Sequence, residues 1–437
     1  MRYFFPSIVS LICLTSPLLA ENSPAQKQIS LKQGDFWVMA GDSITAQRLH
    51  TNFIEAFFRT RYPNQNLKFR NSGIGGNTTG SVLARFGYDI ADWKPTIVSI
   101  ELGMNDVGAG DDPSKYIDGM RQLVKKVREI QATPILISSS PVNDGSALDA
   151  WQSDRCRKIH PYTEALTKFA QEEGVLLVDQ YHPLLSRWAS NKLRADLGRL
   201  TSFSASLKSL GLEDTEPGVR ELQAFLNTWK GSTHAHDLGG DAVHPGPVGQ
   251  LTMAATILQN LGIEKDVSAA TLTADAKVES AVKCRITDAK AKDGVLTFTR
   301  TDESIPWPVP AMGRPALVVM PEIADLSRYS LKITGLTSGT YKVMMNDDVV
   351  LQVSAEKLAK GVNLSTVENG PLAVQSNEIY QLITTLQSQL NSQWRDASKA
   401  GDTVKLEAAQ KEIDTLETKL TAACQPKAIQ FTIQKTQ

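Results

Sequence analysis

Between residues 34 and 262, short apolar runs alternate with stretches of helical spacing, and this alternation leaves few architectures open. Strands are predicted at 35–40, 67–71, 95–101, 133–138 and 174–178, with helices between them such as 113–130 and 153–173 and a last one over 246–262. Strand then helix, repeated, describes βαβ units around a parallel sheet covered on both faces. The expected fold is therefore doubly wound α/β with three layers. In such a sheet the carboxyl ends of the strands expose reactive groups.

The first strand, Phe36 to Ala40, runs into Gly41-Asp42-Ser43-Ile44-Thr45, and the residues from Ile44 to Tyr62 read as a helix carrying Leu49, Phe53, Ile54, Phe57 and Phe58. Ser43 thus falls on a sharp strand-to-helix turn. A hydroxyl is a weak nucleophile at neutral pH and needs a nearby base, itself oriented by a third group. Asp241-x-x-His244 can supply both, because residues three apart on one turn can meet directly. On its own, Gly-Asp-Ser also describes an ordinary turn or helix cap.

Three further segments follow in order: Asn71-Ser72-Gly73-Ile74-Gly75-Gly76-Asn77-Thr78-Thr79, Gly103-Met104-Asn105-Asp106 and Asp241-Ala242-Val243-His244-Pro245. Together with the Ser43 turn they resemble the four blocks of the SGNH (GDSL-type) hydrolase family, over roughly residues 34–262. The resemblance implies a flavodoxin-like α/β/α hydrolase domain. It also implies Ser43 as nucleophile, His244 as general base and then general acid, and Asp241 as the group that orients His244. The chemistry asks for the same types, since imidazole relays the Ser43 proton while a carboxylate fixes its tautomer. The family's oxyanion donors carry over to the Ser43 backbone N–H, the Gly76 N–H and the Asn105 side-chain amide. Gly73 and Gly75 share the Gly76 loop and compete for its role. Asp106 is expected to cap or brace the loop after the third strand.

Other chemistries fit less well. His234, His236 and Asp237 precede the Asp241–His244 turn, and His-x-His with carboxylates is a metal-binding pattern. The resemblance requires neither metal nor cofactor, and none is expected. No HExxH, P-loop, GxGxxG or GxSxG pattern occurs. His160 and His182 receive no role.

Net charge is −1 over 437 residues, which gives no sign of a nucleic-acid partner. Residues 1–20 carry one early cation, an interrupted apolar run and a final Ala20 before a polar stretch, so they read as a cleaved secretory signal, not a stable membrane span. The protein is expected to be secreted or periplasmic, without a lipid anchor at Cys13. Loss of Cys13 would leave Cys156, Cys284 and Cys424; a bridge between Cys284 and Cys424 closing the C-terminal part is expected, with Cys156 a buried thiol.

The domain of residues 30–265 is interrupted by a long excursion, 182–240, with aromatic residues that include Trp188 and Trp229. It reads either as a lid or substrate wall, with those two tryptophans touching substrate, or as a structural buttress. After residue 266 the texture changes to β-branched runs divided by turns. This predicts an antiparallel β domain over 266–437, with Asn346-Asp347-Asp348 as a hairpin turn. Two apolar stripes, Ile379 to Trp394 and Leu406 to Leu420, predict a helical hairpin within 375–424, and 431–434 reads as a returning strand. Trp307, between two prolines, is the single aromatic there that could serve a sugar; structural support is the favoured role of this region.

The functional expectation is a secreted serine esterase acting through an acyl-enzyme on Ser43, with no cofactor. Its substrate would be a small-molecule or glycan ester, most simply an acetyl ester of a carbohydrate, since an exported enzyme seldom meets coenzyme A thioesters. A lysophospholipid or other lipid ester is the alternative. A non-enzymatic carbohydrate- or envelope-binding protein on an esterase-like scaffold is the rival from another class.

Overall fold

The computed structural model describes residues 29, 31–109, 112–142, 154–190, 206–207, 240–241 and 243–436. Most of the 182–240 excursion, residues 1–20, Trp229, His234, His236 and Asp237 lie outside the described residues, as do the side chains of Trp188 and Cys156.

Strands β1 (Phe36–Gly41), β2 (Lys68–Gly73), β3 (Ile97–Glu101), β4 (Thr133–Ile137) and β5 (Leu176–Val178) form one sheet in the order β2-β1-β3-β4-β5. All four pairings are parallel, as the alternation requires. Successive strand residues enter opposite layers. Val38, Ala40, Val98 and Ile100 pack under helices α3 (Thr79–Asp89) and α4 (Ser114–Glu129) with α5 (Asp154–Glu173), whereas Trp37, Met39, Ile97 and Ile135 face α2 (Leu49–Arg61) and α7 (Pro247–Asn260). Short α1 (Ser43–Ala46) follows β1, and α6 (Tyr181–Ser190) follows β5. The single helix expected from Ile44 to Tyr62 is in fact two, because Arg48 takes a left-handed backbone (φ 60°) between α1 and α2.

Beyond residue 265, β6 (Asp266–Thr273), β7 (Val278–Val282), β10 (Arg328–Thr334) and the two-residue β13 (Val362–Asn363) make one sheet. Strands β8 (Cys284–Lys292), β9 (Val295–Asp302), β11 (Thr340–Met345), β12 (Asp348–Ser354) and β14 (Ile429–Lys435) make a second. Pairing is antiparallel throughout the second sheet and in the first except between β6 and β10, which run parallel. Asn346, at φ 53°, turns β11 into β12, and the segment expected to return as a strand is β14.

The helical hairpin consists of α8 (Gly370–Gln389), a π-helical turn Leu390–Trp394, α9 (Arg395–Ala400) and α10 (Thr403–Ala423). Gly401 ends α9 in the left-handed region, where glycine carries no Cβ penalty, and Asp402 caps α10 by accepting from the Lys405 N–H. This hairpin shares its core with the α/β unit. Phe53 of α2 stacks on Tyr380 at 5.4 Å, and Phe57 meets Trp307 edge-on at 5.7 Å. Trp307 is 2% exposed and donates its indole N–H to the Phe53 carbonyl, so it is a packing residue and offers no sugar platform. Burial of each such aromatic contributes about 1.5–3 kcal/mol.

The expected Cys284–Cys424 bridge is absent: both are free thiols. Cys284 opens β8 and bonds the Ala269 carbonyl, while Cys424 is buried at the end of α10. Both lie near the ends of the C-terminal region in sequence, but a bridge requires Cβ atoms within about 4.5 Å, which sequence position does not provide.

Candidate active site

In the sheet register Gly41 of β1 stands level with Gly73 of β2 and Glu101 of β3, so the loops after these three strands leave from one edge. Ser43 begins α1 there. Asp42 caps that turn through the Ile44 N–H at 2.9 Å. Gly41 makes the turn possible, since a Cβ there would sit 2.0 Å from Thr45 Oγ1.

Across from Ser43 the residues before α7 close a second tight turn. Asp241 N–H donates to the His244 carbonyl, and Asp241 Oδ1 accepts from the N–H groups of Val243 and His244 at 2.8 and 2.7 Å. The preceding Gly240 has backbone where a Cβ would go, with the His244 carbonyl 2.1 Å away. His244 Nδ1 lies 3.0 Å from Asp241 Oδ2, and His244 Nε2 lies 2.8 Å from Ser43 Oγ. Burial acts to raise the Asp241 carboxyl, but the two backbone N–H bonds and His244 outweigh it and hold it below the ordinary range. An ionised Asp241 can only accept, which places the His244 proton on Nδ1 and leaves Nε2 to take a proton from Ser43.

The loop after β2 arches over the same point. A Cβ on Gly75 would come within 3.9 Å of Ser43 Cβ, and Gly76 has a left-handed backbone, φ 75°. Asn105, after β3, donates its side-chain amide to the Asn77 carbonyl at 3.0 Å. Asp106, expected to brace the loop after β3, ties that loop to the start of α3 by accepting from the Thr79 N–H and hydroxyl. Ser43, His244 and Asp241 are therefore brought together, the loop of Gly75 and Gly76 passes Ser43 at Gly75, and Asn105 is bonded to that same loop at Asn77.

Residues 39–200 match the GDSL-like Lipase/Acylhydrolase family. This part of the chain belongs to it. An acetylxylan esterase of Geobacillus stearothermophilus is 23% identical over 222 residues, covering 48% of this chain and 80% of that protein. Esterase TesA of Pseudomonas aeruginosa is 28% identical over 185 residues, covering 40% of this chain and 88% of that protein. Among solved structures, a gut microbial diltiazem-metabolizing enzyme superposes with a TM-score of 0.72 at 21% identity, over 94% of this chain and 99% of that one; that likeness shows the fold, the C-terminal sheets and hairpin included. The protein is an ester-bond hydrolase of GDSL type.

Behind the nucleophile turn, the GDSL domain carries a buried polar floor that sequence patterns did not reveal. Glu101 accepts from Thr45 Oγ1 at 2.9 Å and Gln180 Nε2 at 2.7 Å, and faces His50 Nε2 at 3.2 Å. Gln250 of α7 contacts His50 Nδ1 and donates to the Ile44 carbonyl. Burial, together with the Glu101 charge, pushes the Asp42 carboxyl up to about 7. Asn71 ties β2 to the turn through the Thr45 carbonyl at 2.6 Å. These partners are far apart in sequence and share no spacing rule.

On the surface beside the domain, His160, Glu164 and His182 hold their ligand atoms within 4.8 Å of one another, a geometry that could accept a metal ion. His182 Nδ1 is oriented by Asp179 at 2.8 Å. All three are exposed and the reaction does not call on them.

Proposed function

We propose that Ser43 attacks the ester carbonyl, that His244 takes its proton and passes it to the leaving alcohol, and that Asp241 holds the imidazole and stabilises its charged form. Water then attacks the acyl-enzyme with His244 as base, releasing acid and restoring Ser43. The observation that carries this reading is the continuous line from Ser43 Oγ through His244 Nε2, 2.8 Å, to Asp241 at 3.0 Å. The oxyanion takes hydrogen bonds from the N–H groups of Ser43 and Gly76 and from the Asn105 amide. That amide has two hydrogens: one is bonded to the Asn77 carbonyl, which fixes the amide and leaves the other to serve the oxyanion. Each such donor accounts for roughly a hundredfold to a thousandfold in rate.

The substrate is a short-chain ester, an acetyl group on a carbohydrate. The likeness to an acetylxylan esterase supports this, as does the open position of Gly75 and Gly76 at the surface, which leaves room for a bulky alcohol. Trp188 and Trp229 are the residues offered to the alcohol moiety. Residues 1–20 direct export to the periplasm or medium, and no described helix is long and apolar enough to cross a membrane.

Hydrolysis of 4-nitrophenyl esters from acetate to palmitate, by the wild type and by Ser43→Ala, tests the reading. A preference for acetate that disappears in Ser43→Ala is expected, followed by release of acetate from acetylated xylan oligosaccharides. A preference for long acyl chains would move the substrate to lipids. Equal hydrolysis by Ser43→Ala would remove the nucleophile assignment.

A further inference from the structure

The helical hairpin reaches into the α/β unit at the strand that carries the oxyanion loop. Strand β2 is the edge of the parallel sheet, so among the described residues the backbone groups on its outer side have no strand to pair with. Gln387 of α8 takes that place: its Oε1 accepts from the Asn71 N–H at 3.0 Å and its Nε2 donates to the Phe69 carbonyl at 3.1 Å. One side chain thus imitates a neighbouring strand two residues before loop 73–77.

About two helical turns further on, the π-helical turn sets Trp394 against Trp93 and Arg70 and leads into Arg395, the first residue of α9, which meets Asp89, the last residue of α3. Asp89 is fully buried and meets three guanidinium groups: Arg70, Arg85 and Arg395. Arg395 contributes bonds of 3.1 and 3.3 Å to the two carboxylate oxygens, and its Nη1 lies 3.4 Å from the Gly73 carbonyl. The Arg70 guanidinium lies over both Trp93 and Trp394, 4.2 and 4.9 Å from their ring centres, and the two indoles touch each other with centres 4.2 Å apart. Arg85 carries the connection onward. It bonds Asp89, the Ser72 carbonyl at 2.7 Å and, through Nε, the Asn77 side-chain oxygen at 2.8 Å. The Asn77 carbonyl is the acceptor that orients the Asn105 amide.

A continuous chain, buried from Arg395 to Arg85 and half-buried at Asn77 and Asn105, therefore runs from the C-terminal hairpin to the loop of Gly76 and to the Asn105 amide. Stacked, charge-assisted bonds of this kind fix geometry better than a packed apolar contact, because each guanidinium is planar and directional. We propose that Arg395 is a positioning residue for catalysis: acting through Asp89 and Arg85, it holds loop 73–77 so that the Gly76 N–H and the Asn105 amide converge on the oxyanion. The proposal rests on the reading of Ser43, Gly76 and Asn105 given above. It assigns the C-terminal hairpin a part in turnover beyond support.

The test uses the full-length protein and 4-nitrophenyl acetate, with Arg395→Gln, Asn77→Ala and the double variant, and with Ser43→Ala as control. Displacing oxyanion donors affects the transition state more than the bound ester, so each single variant should lower kcat on the order of tenfold to a hundredfold with KM little changed. Because both act through one chain, the double variant should be no slower than about the worse single one. Arg395→Lys, which keeps the charge and one donor, should recover part of the rate. Wild-type kcat in either folded single variant, an effect on KM alone, or losses that multiply in the double variant would each overturn the proposal. Should Arg395→Gln not fold, Asn77→Ala and Arg395→Lys decide it. Full activity in Ser43→Ala would instead remove the site reading itself.

Discussion

His50 and Glu101 face each other at 3.2 Å in the polar floor behind Ser43, both buried and both tied to the turn that carries the nucleophile. Burial alone would lower the His50 pKa, but the Glu101 carboxylate outweighs it and raises the group above its ordinary 6.5. Burial would likewise raise Glu101, but His50, with bonds from Thr45 and Gln180, holds it below 4.5. The Glu101 contribution is thus present above 4.5 and lost as pH falls through its lower folded value. That of His50 is present below 6.5 and lost as pH rises through its higher folded value. Asp42, raised from 3.8 to about 7, favours the folded state most below 3.8 and loses that advantage as pH rises through about 7. The pair should contribute most between 4.5 and 6.5, and urea unfolding should show the wild type losing more stability between that window and alkaline pH than His50→Gln does. Parallel profiles for the two proteins would refute the pairing of charges.

Asp241 does two things that a pair of substitutions can separate. Its Oδ1 holds the turn through the Val243 and His244 N–H groups, and its Oδ2 orients His244 Nδ1. In Asp241→Asn the amide oxygen can still accept from the backbone while the charge beside the imidazole is lost; Asp241→Ala loses both. Asp241→Asn should therefore keep the thermal midpoint but lose on the order of 10² to 10⁴ in kcat. Asp241→Ala should be slower still and should also show faster proteolysis near residue 241. Equal activity in the two variants would mean that the turn bonds do not matter to the reaction.

The two free thiols make a prediction opposite to the expected bridge. Cys424 is buried, which pushes its thiol up to about 12, whereas Cys284 is half-buried, and that partial burial raises its thiol too. Thiolate is the reactive form, so a disulfide reagent on the native protein should label Cys284 faster than Cys424, and denaturation without reductant should expose both. Dithiothreitol should leave the unfolding midpoint where it is. A downward shift on reduction would show that a bridge forms.

What could be read from the sequence was local. Ser43 and the Asp241–His244 turn are legible because the reacting groups come from short segments whose spacing fixes how they can meet. The parallel sheet is legible because each strand and helix has its own period. The floor under the site is not, since His50 meets Gln250, and Arg395 meets Asp89, 200 and 306 residues apart, and no pattern records such a meeting. The break at Arg48 was hidden for a related reason: Gln47 and Arg48 are good helix formers, and tertiary packing imposes the left-handed residue. The parallel pairing of β6 with β10 is equally silent in the sequence, because alternation of apolar residues does not encode strand direction.

Two glycines at the site separate stability from alignment. At Gly41 an added methyl would meet Thr45 Oγ1 at 2.0 Å and the Glu101 carbonyl at 2.9 Å, inside the packed edge of the central sheet. Neither neighbour can retreat easily, because Thr45 is bonded to Glu101 and the Glu101 backbone lies in β3. Gly41→Ala should thus cost about 1–3 kcal/mol in unfolding free energy, as overpacking does, as well as activity. At Gly240 the added methyl would meet only the turn itself, the His244 carbonyl at 2.1 Å and the Gly246 N at 2.4 Å. That turn runs from exposed Asp241 to buried Pro245 and Gly246 but lies outside the sheet, so it can shift at less cost than the β3 edge, and the shift moves His244 away from Ser43. Gly240→Ala should leave the unfolding midpoint within a few degrees while lowering kcat on the order of a hundredfold, the loss that about 1 Å of misplacement brings. Measured together by calorimetry and 4-nitrophenyl acetate turnover, the two variants should fall on different axes. A Gly240→Ala protein with wild-type turnover would mean that His244 reaches Ser43 from a turn looser than the one seen.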